Sequence, residues 1–149
     1  MNIEGYSIPE NLLYTAEHDW IRIENDKRTI IGITDYAAKT LHDIVYVDLP
    51  GIDSKVEHLS PFGSIESVKA VSDLYSPITG IISKLNDDLK TNPEIVSQSP
   101  YDKGWMLEVV PSSLETESKS LLTPQSYADL IKALTKKSLY FICRSLYDS

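Results

Sequence analysis

A series of short β-type segments, cut apart by turn residues, is the strongest constraint on what this chain can fold into. Trp20-Ile21-Arg22-Ile23-Glu24 alternates apolar and polar side chains, the period of a strand with one buried face. Asn25-Asp26-Lys27-Arg28 is rich in residues that tolerate unusual backbone angles, and Thr29-Ile30-Ile31-Gly32-Ile33 returns as a second strand. Together they predict a hairpin. Further strands are predicted over Ile44 to Leu49, stopped by Pro50-Gly51, over Ile78 to Leu85, and over Trp105 to Val110, stopped by Pro111. Gly80 marks a tight turn or bulge.

Helical signals are fewer. Thr34 suits an N-cap, with Asp35 in the first turn where negative charge is favourable, so a short helix is predicted over Tyr36 to Leu41, ended by His42-Asp43. Asn86-Asp87-Asp88 is placed to cap one helical turn before Pro93. Residues 112–120 read as a polar connection. Thr123-Pro124 starts a C-terminal helix whose Tyr127, Leu130, Ile131 and Leu134 form one apolar stripe suited to docking on a sheet. The class is mainly β, and 149 residues fit one domain with a tail.

Charge narrows the function. Against 14 basic residues stand 22 acidic ones, a net charge of −8. That disfavours nucleic acid, whose phosphates call for clustered Lys and Arg, and disfavours an anionic membrane surface. No window nears the roughly 18 apolar residues of a spanning helix. The first six residues have neither a basic nor an apolar leader pattern, and Cys143 is a lone cysteine, so a cytoplasmic protein is expected. His18, His42 and His58 share no metal-ligand spacing. No phosphate loop or nucleophile motif is present, so the chain is not read as an enzyme.

The stretch Ile65 to Pro77 stands apart. A single lysine, Lys69, lies between the small apolar Val68 and Ala70, with strand-like segments on either side and acids at Glu66 and Asp73. This predicts a hairpin with the lysine at or near its tip, flanked by two strand-rich halves in a sandwich. No Asn-Gly or Asp-Gly marks the turn. By residue type alone, a core hairpin with one solvated lysine is the better reading.

Glu66-Ser67-Val68-Lys69-Ala70, followed by Ser72-Asp73, Ser76-Pro77 and Gly80, resembles the lipoyl-attachment segment of the glycine cleavage system H protein family. Further motifs come in the family's order: Tyr14-Thr15 with His18-Asp19-Trp20, Gly32 to Ala37, Val45 to Pro50, Ser99-Pro100-Tyr101, and Gly104-Trp105. The resemblance covers roughly residues 8 to 134. It implies a flattened barrel-sandwich hybrid of the lipoyl/biotinyl type, with short helices and a C-terminal helix, over residues 1–135. Residues 136–149 form a tail of unknown role.

The resemblance also implies a function: a carrier with lipoate joined by an amide to Lys69. Biotin is disfavoured, because biotin carriers usually bracket the lysine with methionine. In the family the oxidised arm accepts an aminomethyl group as glycine decarboxylase, a pyridoxal-phosphate enzyme, decarboxylates glycine. An aminomethyltransferase passes the one-carbon unit to tetrahydrofolate, and dihydrolipoyl dehydrogenase reoxidises the arm. A lipoate ligase or a lipoyl/octanoyl transferase would attach it. The loaded arm is expected to fold into a cleft holding an acid, with Asp19 and Asp73 as candidates and Glu66 assigned to ligase recognition. As bare residues, all three also read as solvated charges. The chain departs from the family at His42 and Leu59, where glycine is usual, so a different local backbone is expected around His42. It also has Asp19 where glutamate is commoner. These departures keep open two alternatives: an H-like lipoate donor or redox carrier of another pathway, and an unmodified interaction module.

Overall fold

The computed structural model describes the backbone of residues 1–148 and the side chains of residues 1–136. Eleven strands and five helices follow one another: β1 (Asn2–Ile3), β2 (Tyr6–Ser7), β3 (Leu13–Tyr14), β4 (Asp19–Ile23), β5 (Thr29–Ile33), α1 (Asp35–Leu41), β6 (Ile44–Asp48), β7 (Lys55–Val56), β8 (Pro61–Ser67), β9 (Val71–Tyr75), β10 (Gly80–Leu85), α2 (Asp88–Thr91), α3 (Ile95–Gln98), β11 (Leu107–Pro111), α4 (Leu114–Ser118) and α5 (Pro124–Asp148). β1 and β2 form a small hairpin. The rest make a six-stranded sheet, β3-β4-β5-β11-β10-β7, and a three-stranded sheet, β6-β8-β9.

The two larger sheets enclose the main core. Ile21, Ile31, Ile82 and Val109 of the first meet Val47, Ile65 and Leu74 of the second. A second core lies on the other side of β4 and β5, where Trp20 and Ile30 pack with Ile8, Tyr14, Tyr127 and Ile131. Tyr14 and Tyr127 stack at 4.6 Å between ring centroids. β4 therefore has both faces covered where it begins, at Asp19, Trp20 and Ile21, not the single buried face its alternation suggests. α5 supplies the second cover.

Local signals set the helix ends. Thr34 caps α1 as expected, its Oγ1 accepting from the N–H of Ala37 at 3.3 Å. The turn before Pro93 forms as α2, but its cap is Asn86, whose Oδ1 accepts from the N–H of Asp88 at 3.3 Å; Asp87 makes no side-chain cap bond. Thr123 Oγ1 accepts from Ser126 N–H at 3.1 Å at the start of α5. Tyr127 and Ile131 are fully buried, and Leu130 and Leu134 partly so. The helix runs unbroken past residue 135; side chains of the expected tail beyond residue 136 lie outside the described residues, Cys143 among them.

Two local expectations change. Gly80 is neither a turn nor the bulge: it pairs with Val56 and Pro111 inside β10, and the register shift falls between Ile82 and Lys84. Glycine is needed because a Cβ there would lie 2.3 Å from the carbonyl oxygen of Val110. The connection over residues 112–120 contains the short helix α4, tied back by Glu117, which accepts from the N–H and hydroxyl of Thr79 at 2.7 and 2.6 Å.

Candidate functional site

Lys69 is the middle residue of the three-residue link between β8 and β9, where Glu66 pairs with Val71. None of Val68, Lys69 and Ala70 has a positive φ, so the turn needs no glycine or asparagine. Ser67 holds it instead. Its N–H donates to Ala70 O at 2.8 Å, and its buried hydroxyl accepts from Ala70 N–H at 3.1 Å. β6 braces the other side: Val68 N–H donates to Asp43 O at 3.1 Å, and Ile44 stands opposite Ser67. The backbone is fastened while the side chains stay open. Val68 is 75% exposed, Lys69 is exposed, and Lys69 enters no ion pair among the described residues. A primary amine on such a turn is available to an enzyme that forms an amide. The signal that sequence reasoning left unused was Ser67, two positions before the lysine, with the pattern of a serine that bonds its own turn.

The register sorts the nearby acids. Asp48, Ser64 and Asp73 lie in one cross-strand row and Tyr46, Glu66 and Val71 in the next, all on one face because alternate residues share a face. Tyr46 and Val71 are half or more exposed, so this is the outer face. Glu66 and Asp73 thus share the lysine's sheet, together with Asp48, and offer three carboxylates around two apolar side chains.

Asp19 belongs to the other sheet. It opens β4 and is 2% exposed. Thr15 Oγ1 donates to its Oδ2 at 3.2 Å and accepts from its N–H at 3.2 Å. Burial pushes the Asp19 carboxyl well above the usual carboxylate range, with the Thr15 bond opposing. Asp73 is solvated, Glu66 half-buried and Asp19 enclosed, so the bland reading as a solvated charge fails for Asp19.

The histidines have separate surroundings. His18 Nδ1 lies 2.8 Å from Tyr127 Oη, which is 2.7 Å from the capping Thr34 Oγ1. Burial lowers the His18 pKa to about 4, so the ring is neutral at pH 7. His58 Nδ1 donates to Pro77 O at 2.7 Å. His42 is exposed and closes α1 at φ 54 and ψ −177. At this φ histidine is held where glycine is favoured, at a cost of about 1–3 kcal/mol. Leu59 likewise sits at φ 60. A cavity of about 600 Å³ lined by Ile23, Arg28, Val110 and Leu114 opens at the far end of β4 from Asp19.

Residues 12–134 match the profile of the glycine cleavage H-protein family. The chain belongs to that family. A glycine cleavage system H protein of Geobacillus thermodenitrificans is 48% identical over 123 residues, 83% of this chain and 95% of the relative. That of Rubrobacter xylanophilus is 50% identical over 121 residues, 81% and 92% of the two chains. The crystal structure of a glycine cleavage system H protein from Mycobacterium marinum shares the fold at TM-score 0.76 and 35% identity, covering 82% of this chain and 97% of that one. The family assignment and the mainly β architecture both agree with the sequence reading.

Proposed function

We propose that this protein is the lipoyl carrier of the glycine cleavage system, with the arm on Nζ of Lys69. Membership of the H-protein family supports the carrier role. The observation that supports Lys69 is its place in the middle of a turn fastened through Ser67 and Asp43, with its side chain open. When bound, a lipoyl group supplies a disulfide that takes up a one-carbon amine and two electrons and later releases them.

The chain's own residues do the rest. Ser67 and Asp43 hold the turn so that the attachment point is presented in one geometry. Val68, Val71 and Tyr46 offer exposed apolar surface beside it, suited to an aliphatic arm. Asp48, Glu66 and Asp73 face outward and would steer basic rims of docking enzymes. Asp19 is the acid assigned to the loaded arm: its carboxyl is buried, and an amine arriving beside it would favour the charged carboxylate and form a charge pair shielded from water. Tethering makes each encounter effectively intramolecular, so the carrier itself need not be a catalyst.

The proposed partners are glycine decarboxylase, aminomethyltransferase, dihydrolipoyl dehydrogenase and the ligase or transferase that attaches lipoate. The proposed compartment is the cytoplasm; among the described residues no helix is long and apolar enough to cross a membrane. The test is intact-mass and peptide mapping after incubation with a lipoate ligase, lipoate and ATP. One lipoyl adduct on Lys69, absent in Lys69→Arg, is expected. An adduct on another lysine, or none, would refute the assignment.

A further inference from the structure

His42 occupies a conformation from which the fold gains nothing that glycine would not supply. At φ 54 and ψ −177 it lies where an L side chain is strained. The fold uses its backbone N–H, which donates to Ala38 O at 3.1 Å. Glycine would make the same bond without the strain. The His42 side chain is exposed and makes no hydrogen bond or ion pair among the described residues. His18 and His58 differ, since each commits Nδ1 to a partner within the molecule, Tyr127 and Pro77 respectively.

The position of His42 suggests a use. The carbonyl of the next residue, Asp43, accepts the N–H of Val68, and Ile44 stands opposite Ser67. His42 is therefore carried on the segment that braces the lysine turn. Beside that turn, Val68 and Val71 are 75% and 65% exposed, an apolar footing whose sheet also carries the acceptor-only carboxylates of Asp48, Glu66 and Asp73.

We infer that His42 is a specificity-determining residue, its imidazole read as a hydrogen-bonding partner by the enzyme that acylates Lys69. This rests on Lys69 being the attachment lysine. A contact of this kind lowers the KM for the carrier and leaves the chemistry at the amine unchanged.

The experiment measures acylation of the full chain by a lipoate ligase with lipoate and ATP, for wild type, His42→Gly and His42→Asn, alongside thermal melts. His42→Gly is expected to melt about 2–4 °C higher. It is expected to raise the KM for the carrier about five-fold with kcat unchanged, the loss of one hydrogen bond. His42→Asn keeps a side-chain donor and acceptor on the same strained backbone, and should fall between the two in KM. A purely structural histidine would move the melting temperature alone. An unchanged KM in both variants, with wild type acylated normally at Lys69, overturns the role of His42 and leaves the attachment site standing. A His42→Gly variant that melts no higher than wild type removes the strain argument and overturns it too. Wild-type protein that takes no acyl group on Lys69 overturns both readings together.

Discussion

His18 and Asp19 are adjacent residues with opposite responses to pH. His18 has a folded pKa of about 4 against an ordinary 6.5, because burial disfavours the charged ring. Its contribution to stability is complete above pH 6.5 and is lost as pH falls towards 4. His18→Asn, which tolerates the φ of 70, should flatten the loss of stability between pH 6.5 and 4 by about 2 kcal/mol, less than the full shift because the ring is partly exposed. Urea unfolding at a series of pH values reads this directly. Asp19 works the other way. Its folded pKa is raised, so its contribution is full below the ordinary 3.8 and is lost as pH rises from there. Asp19→Asn keeps an acceptor for Thr15 and should be more stable than wild type at pH 7, with the gap closing as pH approaches 4. A constant gap across that range would mean the carboxyl is not held protonated. The sequence showed the pair His18-Asp19 beside Trp20 but gave no sign of the sign of either shift, because burial here comes from Thr15, Thr34 and Tyr127, up to 109 residues away.

At the scale of elements, the three-stranded sheet is what presents Lys69, and Gly63 sits where two of its strands approach closely. A Cβ on Gly63 would lie 2.2 Å from the carbonyl oxygen of Asp48 on the neighbouring strand. Backbone cannot swing aside as a side chain can, so Gly63→Ala should push β8 from β6 and cost about 3 kcal/mol. Because β6 also braces the lysine turn through Asp43, the variant should show faster amide exchange at Val68 than wild type. Unchanged exchange there would mean the brace is independent of the sheet. Strand positions were legible here: the segments predicted from alternation and punctuation correspond to β4, β5, β6, β10 and β11. The turn was legible only as a site, not as a geometry. Its hold depends on a serine hydroxyl, a local bond that no Gly or Asn signal announces.

Across the whole molecule, the family match ends part-way along α5. The match stops at residue 134, and among the described residues Leu134 is the last of the stripe. If the family match marks the end of the fold, deleting residues 137–149 should leave the unfolding free energy from urea titration within about 0.5 kcal/mol of wild type. A large loss of stability would show that the end of α5 is part of the fold. The sequence by itself determined the longer strands β4, β5, β6, β10 and β11, the capping of α1 and α5, the lysine hairpin and the family, because each is written in neighbouring residues: alternation, a capping hydroxyl, a motif in register. Only the tertiary structure decided which faces are covered. β4 is buried on both sides at its start because α5 returns from the far end of the chain to lay Tyr127 and Ile131 against Trp20 and Tyr14. Asp19 is enclosed and Glu66 and Asp73 are not, although all three are acids beside similar motifs. His42 and Leu59 stand at positive φ because the sheets and helices on either side fix the path of the chain more strongly than one side chain can bend it.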